Sequence, residues 1–204
     1  MIELVIFDMD GVLAKLDRPK RLALLSEMTG RTPAFLQAAI WDSSFEPGAE
    51  VGACATGEEY LAEWNRRAGC ALTRAQWARA RREAMTPDPD ALAIADTIQR
   101  HCRIAMLTNN GALLYEELPA IFPGAFRIFA GGAHASFQFR ARKPDPAVYA
   151  RLLARYGVAP ERAVVADDDP AYVAGARRAG LHGIDYTGAA ELRRRLRGLG
   201  IRFD

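Results

Sequence analysis

The first apolar segment of the chain, residues 2–7, runs directly into two carboxylates one residue apart, Asp8 and Asp10, followed by a glycine. A continuous apolar run is typical of a strand that is buried on both faces of a parallel sheet. Unpaired charge at the tip of such a strand costs on the order of several kcal/mol unless a cation or a hydrogen-bond network compensates it. Ligands of open α/β sheets bind at the carboxyl ends of the strands. The segment therefore predicts a parallel sheet with a polar site at the end of its first strand.

Strand-like and helix-like segments alternate in the second half of the chain. The predicted strands are residues 103–107, 127–130, 163–166 and 182–185, and the predicted helices are residues 90–101, 112–118, 146–156, 170–179 and 189–196. This alternation indicates βαβ units, with helices on both faces of a parallel sheet. We therefore predict an α/β fold with a Rossmann-like, doubly wound parallel sheet as its core.

The segment between the first strand and the second has a different pattern, because it contains no convincing strand. It carries four helical patterns, at residues 18–28, 33–40, 57–69 and 74–83. An all-helical segment placed between two strands of one sheet is interpreted as an inserted cap. The predicted domains are a catalytic core of residues 1–14 and 86–204 and a helical cap of residues 15–85.

Composition places the chain among ordinary globular proteins, since 50% of its 204 residues are hydrophobic and its formal net charge is +2. This charge is too small to indicate nucleic acid or a membrane as a partner. The three cysteines are scattered, which favours a reducing compartment, and no apolar run is long enough to span a membrane. We expect a cytoplasmic protein whose partner is a small molecule, and the sequence leaves its oligomeric state open.

Polar clusters follow three of the predicted strands. Asp8 and Asp10 follow the first, Thr108 and Asn109 the second, and the run Asp167–Asp169 the strand at residues 163–166. In a doubly wound sheet these ends meet in one crevice. Several carboxylates in one crevice repel each other unless a divalent cation lies among them, and oxygen ligands without His or Cys favour Mg²⁺.

Lysine is scarce in this chain, which makes Lys143 more informative than a lysine usually is. Of the 27 basic residues, three are lysine (Lys15, Lys20 and Lys143), which leaves 24 arginines. Lys143 begins the helix that precedes the Asp167–Asp169 cluster. A carboxylate nucleophile, a second carboxylate for proton transfer, a lysine and Mg²⁺ together suit phosphoryl transfer, because the phosphoryl group needs its charge neutralised.

Taken together, these residues resemble the haloacid dehalogenase superfamily of hydrolases, in the subgroup with a small helical cap. The four stretches that match the family's motifs, in order, are Asp8-Met-Asp10-Gly-Val-Leu, Leu107-Thr108-Asn109, Lys143-Pro144-Asp145-Pro146 and Asp167-Asp168. All four occur in the right order at predicted strand or helix ends, so the resemblance covers essentially the whole chain. The pattern departs at Tyr172, where a short polar residue is common, and at Asp169, a third adjacent acid.

The resemblance implies a role for each matching residue. Asp8 would be the nucleophile that attacks phosphorus, and Asp10 would protonate the leaving alcohol and then activate water. Thr108 and the backbone amide of Asn109 would bind a phosphoryl oxygen, and Lys143 would bridge Asp8 and the phosphoryl group. The implied Mg²⁺ ligands are Asp8, the backbone carbonyl of Asp10 and Asp168, with Asp167 either binding the metal directly or orienting its partners.

The second carboxylate also separates two branches of the family. Dehalogenases that resemble this chain carry Tyr where Asp10 stands, so Asp10 favours phosphate ester chemistry. We therefore expect an Mg²⁺-dependent phosphatase that acts on a small phosphorylated metabolite through an aspartyl phosphate. Two alternatives stay open: a phosphomutase resembling β-phosphoglucomutase, and a non-catalytic binding or regulatory module with the same fold.

Other polar and aromatic residues have simpler interpretations. The Arg79–Arg82 run is expected to be a solvated helix face, and Asn110 is expected to cap a helix. The loop Trp41–Gly52 is a candidate for reading the leaving group, and Arg140 or Arg142 is a candidate for positive charge near the phosphate. Five aromatic residues are expected to pack inside the cap: Trp41, Phe45, Tyr60, Trp64 and Trp77.

Overall fold

The computed structural model describes residues 1–203, which form seven strands and eleven α-helices. The strands are β1 (Leu4–Phe7), β2 (Ala14–Leu16), β3 (Met85–Pro87), β4 (Arg103–Thr108), β5 (Ala133–Ala135), β6 (Ala163–Asp167) and β7 (His182–Asp185). The helices are α1 (Arg18–Thr29), α2 (Pro33–Leu36), α3 (Phe45–Ala49), α4 (Gly57–Ala68), α5 (Arg74–Glu83), α6 (Pro89–Ile98), α7 (Ala112–Ile121), α8 (Pro123–Ile128), α9 (Pro146–Tyr156), α10 (Pro170–Arg178) and α11 (Ala189–Gly198).

Five strands form one parallel sheet in the order β5-β4-β1-β6-β7, with β1 at its centre. Successive side chains of a strand point to opposite faces of the sheet, and here both faces are buried. Val5 and Phe7 belong to one apolar cluster, together with residues of α6, α7 and α11, whereas Leu4 and Ile6 pack in a second cluster with α9. Helices therefore cover both faces, which confirms the predicted doubly wound α/β core.

The edge strand was predicted at the wrong place. Residues 127–130 were expected to form a strand, but α8 occupies Pro123–Ile128 and the strand is β5, at Ala133–Ala135. Pro123 lies in the first turn of α8, where its fixed φ favours the helix. The buried residues Phe122, Ala125 and Phe129 recur with helical spacing, and Phe129 packs edge-on against Phe7 with ring centroids 5.7 Å apart.

Helices α1 to α5 form the segment that was predicted to be helical. α5 has the predicted bounds, and α1 and α4 differ from theirs by one residue at the C-terminal end. The predicted helix 33–40 is shorter, because α2 ends at Leu36 and one π-helical turn follows at Gln37–Trp41. The apolar side of these helices, which includes Leu25, Trp64 and Trp77, joins the same cluster as Val5 and Phe7. None of the helices among residues 1–203 has the length and apolar character needed to cross a membrane.

A short antiparallel ribbon connects the helical segment to the sheet, and the sequence analysis missed it. Strand β2 pairs with β3, with Lys15 opposite Thr86. Each strand has only three residues, which is too short for a periodic hydrophobic pattern to indicate it. The two strands of the ribbon contain the predicted domain boundaries, at residues 14/15 and 85/86. The chain therefore leaves the core and returns to it at one place.

Candidate active site

The carboxyl ends of β1, β4 and β6 bring the predicted site residues together. Phe7, the last residue of β1, pairs with Met106 on one side and Ala166 on the other. Asp8 therefore lies beside the end of β6, and its backbone N–H donates to the carbonyl of Ala166 at 3.0 Å. Parallel topology thus places Asp8, Thr108 and Asp167 at one edge of the sheet, where all three are buried.

Lys143 lies at the centre of this cluster and is only 1% exposed. Its Nζ is 2.8 Å from Oδ1 of Asp8 and 2.6 Å from Oδ2 of Asp167. Its backbone is held by the side chain of Asn109, which accepts from the N–H of Lys143 and donates to its carbonyl, both at 2.9 Å. Nζ also lies 4.9 Å from the ring centre of Tyr172, which is within cation–π range.

Burial and charge act in opposite directions on the pKa values of this cluster. Burial raises the pKa of Asp8 to about 7, although the ammonium of Lys143 opposes the shift. Burial by itself would lower the pKa of Lys143, but the carboxylates of Asp8 and Asp167 raise it above its ordinary value. Burial, followed by the charge of Asp167, raises the pKa of Asp168. One ammonium therefore does not fully compensate the carboxylates around it.

The carboxylates of Asp8, Asp167 and Asp168 offer oxygen atoms that lie within 4.8 Å of one another. Hard divalent cations such as Mg²⁺ bind oxygen ligands of this type, so these three residues fit a magnesium site. A Cβ at Gly11 would lie 2.2 Å from Cγ of Asp168, and Gly11 has φ +99°. Only glycine allows the β1 loop to approach this carboxylate so closely. The carboxylates of Asp8, Asp167 and Asp168 are called the oxygen group below, and the side chain of Asp10 is not part of it.

The Asp10 side chain instead contacts the helical segment, and this corrects the expectation for Arg79–Arg82. Nη2 of Arg81, on α5, donates to both carboxylate oxygens of Asp10, at 2.7 and 2.5 Å. Arg81 is 1% exposed and is therefore not on a solvated face, whereas Arg79 on the same helix has a 58% exposed side chain paired with Glu83. Arg81 follows the buried Trp77 by four residues, so the two share one face of α5.

The Thr108 hydroxyl is held by a neighbour whose role was predicted differently. Nδ2 of Asn110 donates to Oγ1 of Thr108 at 2.7 Å. Asn110 does not cap α7, because the N-cap residue of that helix is Gly111 and no side chain caps it. The capping interpretation of Asn110 was wrong, since its side chain turns back to the end of β4. By contrast, Asp169 does cap its helix, because its Oδ1 accepts from the N–H of Ala171 in the first turn of α10 at 2.8 Å.

A cavity of about 330 Å³ lies between this cluster and the helical segment. On the sheet side, the lining residues include Asp10, Asn109, Arg142 and Tyr172. On the helical side, the lining consists mainly of charged and aromatic residues, which include Arg18, Arg21, Trp41, Asp42, Glu46, Glu50, Tyr60, Trp77 and Arg81. The segment Trp41–Gly52, which was expected to be a loop, contains α3, but it does face the crevice. Of the five aromatic residues expected to pack inside the cap, Phe45 and Trp64 do not line this cavity, whereas the other three do.

Sequence reasoning missed Arg21 and Arg81 as site residues. Both lie on helices with polar compositions, which gave them the appearance of exposed arginines. The signal that could have found them is spacing, because Arg21 precedes the buried Leu25 by four residues, as Trp77 precedes Arg81. Arg142, left open earlier, lines the cavity and pairs with Glu50, whose Oε2 is 2.9 Å from its Nε.

Comparison with known proteins identifies relatives of this chain by sequence. The sequence model of the haloacid dehalogenase-like hydrolases matches residues 2–180. The phosphoserine phosphatase of Thermus thermophilus is 31% identical over 162 residues, which cover 72% of this chain and 61% of that protein. The chain thus spans 61% of the length of this relative.

Solved structures show the same fold. A predicted hydrolase of this type from Porphyromonas gingivalis has a TM-score of 0.79 and 24% identity, covering 97% of this chain and 98% of that one. A family enzyme from Bacteroides thetaiotaomicron, solved with magnesium and inorganic phosphate, has a TM-score of 0.73 and 16% identity over 90% and 93% of the two chains. The L-2-haloacid dehalogenase of Xanthobacter autotrophicus, with chloropropionic acid covalently bound, has a TM-score of 0.62 and 19% identity over 99% and 85%.

The sequence match covers most of the chain and includes all four motif regions. The described residues place those regions around one buried lysine at the carboxyl edge of a parallel sheet. The chain belongs to the family of haloacid dehalogenase-like hydrolases.

Proposed function

We propose that this hydrolase is an Mg²⁺-dependent phosphatase that acts on a small phosphorylated metabolite through phosphorylated Asp8. The observation that carries the proposal is the buried cluster in which Lys143 bridges Asp8 and Asp167, beside the oxygen group that includes Asp168. Such a cluster places an ammonium beside a buried carboxylate and offers oxygen ligands to a divalent cation. The two cations together would neutralise the charge of a transferred phosphoryl group.

In the first step, a carboxylate oxygen of Asp8 attacks phosphorus, and the bond between phosphorus and the leaving oxygen breaks. Asp10 gives its proton to that oxygen, so the product leaves as a neutral alcohol. Lys143 holds the Asp8 carboxylate at 2.8 Å and offsets its repulsion from the incoming phosphoryl group. The hydroxyl of Thr108, which accepts from Asn110, is free to donate its proton to a phosphoryl oxygen.

In the second step, water attacks the phosphorus of the aspartyl phosphate. Asp10, now ionised, takes a proton from the water, and the Asp8 carboxylate leaves as inorganic phosphate forms. Arg81 acts here as a positioning residue, because its Nη2 holds both oxygens of Asp10 on the cavity side of the cluster. Mg²⁺ held by Asp8, Asp167 and Asp168 would neutralise phosphoryl charge, and the backbone carbonyl of Asp10 is proposed as a further ligand.

Two features support phosphate esters over carbon–halogen bonds. Asp10 supplies the acid that an alkoxide leaving group needs, whereas a departing halide needs none. Asp167 and Asp168 supply metal ligands that halide displacement does not require. The substrates to test include O-phosphoserine, because the Thermus thermophilus relative is named a phosphoserine phosphatase. The proposed location of the enzyme is the cytoplasm.

The decisive experiment measures phosphate release from phosphomonoesters with Mg²⁺, using the wild type, Asp8→Asn and the control Asp96→Asn, an exposed residue of α6. Samples quenched in acid during turnover are digested, and the peptide that contains Asp8 is examined by mass spectrometry for a phosphoryl group. We expect that group in the wild type and in Asp96→Asn only. Undiminished phosphate release by Asp8→Asn would refute the proposal.

The same experiment separates the alternatives. A phosphatase discharges the phosphoenzyme rapidly in water, whereas a phosphomutase keeps it until a sugar hydroxyl is added. A dehalogenase would release halide from a 2-haloacid and would give no phosphopeptide. A non-catalytic module would bind Mg²⁺ and phosphate esters without turnover.

A further inference from the structure

Two arginines of the helical segment lie in the cavity wall that faces the active site. Arg21 is on α1 and Arg81 is on α5, and they are 8% and 1% exposed. Arginine is almost never this buried unless it is paired. The contacts of these two residues therefore indicate which chemical group the cavity binds.

Arg21 is held in place by stacking. Its guanidinium carbon lies 5.3 Å from the ring centre of Trp41 and 5.1 Å from that of Trp77, so it contacts two tryptophans. Cation–π contacts fix the plane of the guanidinium but satisfy none of its N–H donors. Nε of Arg21 is buried and has no hydrogen-bond partner among the described residues.

Arg81 has a similar excess of donors. Its Nη2 is used by Asp10, but Nε and Nη1 are buried without a partner among residues 1–203. Buried donors of this kind are nearly always paired in folded proteins, and each costs about 1–3 kcal/mol when it is not. Three donor nitrogens on two adjacent cations thus lack acceptors on the same cavity wall.

The acidic residues of the wall do not fill this role. Glu46, on α3, accepts a hydrogen bond from the hydroxyl of Tyr60, and burial raises its pKa. Oε2 of Glu50 lies 2.9 Å from Nε of Arg142, and it accepts no hydrogen bond from any described residue, Arg21 and Arg81 included. Burial, followed by repulsion from the charge of Arg81, lowers the pKa of Arg21 to about 10, although Tyr60 and Glu46 oppose the shift. Asp42 and Arg18 also line the cavity.

We propose that Arg21, assisted by the free donors of Arg81, binds a carboxylate on the leaving group of the substrate. This inference rests on the proposed phosphatase function and specifies its substrate class as phosphate esters of hydroxy acids. A planar carboxylate matches the fork of a guanidinium. A single negative charge matches Arg21, the one buried arginine of the cavity wall that no carboxylate among residues 1–203 hydrogen-bonds. The cavity of about 330 Å³ must also hold the phosphoryl group, which favours a small acid.

The test uses a pair of esters of nearly equal size, 2-phosphooxyacetate, which carries a carboxylate, and 2-phosphooxyacetamide, which carries a neutral amide in its place. We measure kcat/KM for both with the wild type, Arg21→Gln, Arg21→Lys and the control Arg79→Gln, an exposed arginine on α5. We expect the wild type to prefer the acid by about 10- to 100-fold, as a charge-assisted hydrogen bond allows. Arg21→Gln should remove most of this preference, Arg21→Lys should restore part of it, and Arg79→Gln should keep it.

A second measurement remains informative if turnover is absent. Binding of the same two esters to the Asp8→Asn protein with Mg²⁺ is followed by calorimetry and by the fluorescence of the tryptophans, since two of them contact Arg21. Preferential binding of the acid that Arg21→Gln abolishes supports the subsite even if no ester is hydrolysed, which would refute only the proposed function. Equal use and equal binding of acid and amide by the wild type would overturn the subsite, as would an unchanged preference in a folded Arg21→Gln protein.

Discussion

Buried charge is paired to a different extent on the two sides of the cavity. On the sheet side, Lys143 places its ammonium between two carboxylates, and Asn109 fixes its backbone. On the helical side, Arg21 and Arg81 keep donor nitrogens that no described residue accepts. The sheet side thus has more negative charge than its lysine compensates, whereas the helical side has more hydrogen-bond donors than acceptors.

This difference supports the proposal that the two walls bind different parts of one substrate. An excess of carboxylates calls for a metal cation together with the reacting group, and an excess of donors calls for an anion. Asp10 and Arg81 form the only ion pair among the described residues that joins α5 to the β1 loop. The walls are therefore coupled at the residue proposed for proton transfer, and the following changes test each wall in turn.

The largest effect is expected on the sheet side, from Asp8→Asn. Turnover should fall by at least about 10⁴-fold, because an amide cannot form the aspartyl phosphate. Phosphate release measures this loss, and a thermal unfolding curve close to that of the wild type shows that the fold is kept. If turnover persisted in a folded variant, the sheet wall would not hold the nucleophile.

Removal of divalent metal should also abolish turnover. We expect chelation to reduce phosphate release to background and added Mg²⁺ to restore it. Because the metal relieves repulsion within the carboxylate group, a saturating excess of about 100 Kd should stabilise the folded protein by about 2.7 kcal/mol. Calorimetric unfolding with and without Mg²⁺ measures the gain.

Asp168→Asn should lose most of this stabilisation by Mg²⁺. Asp169→Asn is the matched control, since an asparagine can cap α10 as the aspartate does. Equal Mg²⁺ responses of the two variants would show that Asp168 does not hold the metal.

Lys143→Met tests whether the lysine stabilises the fold as well as the site. The substitution leaves the carboxylates of Asp8 and Asp167 buried without their cation, so we expect a loss of about 3–5 kcal/mol in the free energy of unfolding. Urea denaturation measures it, and Lys20→Met, an exposed residue of α1, is the control. A loss no larger than that of the control would show that the cluster does not need its ammonium.

Arg81→Met tests the coupling between the walls. Asp10 would lose the partner that orients its carboxylate, and we expect kcat to fall by about 10- to 100-fold, in line with the contribution of positioned acid–base groups. The pH profile of kcat should change together with the rate, which a purely structural defect would not produce. Arg79→Met should stay close to the wild type, and an unchanged kcat in Arg81→Met would remove the positioning role.

The smallest effect concerns Glu50, in the helical wall. Burial raises its pKa from 4.5 to about 7, so the folded protein holds this proton more tightly than the unfolded chain. The wild type therefore loses stability as the pH rises from about 4.5 to 7. Glu50→Gln has no such proton to lose, so its free energy of unfolding should rise relative to that of the wild type over this window. Urea unfolding at several pH values measures the difference. In the control Glu58→Gln, at an exposed position, the free energy of unfolding should change with pH as it does in the wild type.

The sheet side could be predicted from the sequence because strand direction determines it. The apolar runs that became β1, β4 and β6 each lead into a residue of the buried cluster that lies beside the cavity. Once strands are parallel, their carboxyl ends share one edge, so Asp8, Thr108 and Asp167 must come together. The misplaced edge strand at residues 127–130 did not affect this conclusion, because β5 contributes no residue to the carboxylate cluster.

The helical side could not be predicted in the same way. Arginine occurs on exposed faces and in buried pairs alike, and a run such as Arg79–Arg82 has the composition of a solvated surface. Arg81 is buried because α5 packs against α1 and α7 and this residue faces Asp10. The side chain of Asn110 could not be predicted for the same reason. Its local sequence favours a helix cap, but in the folded protein it donates to Thr108.

Hydrophobic periodicity and parallel strand direction are properties of the chain's own pattern. The α/β core, the order of its motifs and the residues at the carboxyl edge of the sheet could therefore be derived before any coordinates were known. Which arginines face the cavity, which acids are paired and which donors are left without acceptors followed only from the folded arrangement. Those outcomes depend on how the helices of residues 18–83 pack over the sheet, and packing angles follow from the mutual fit of whole surfaces, which a local pattern does not contain.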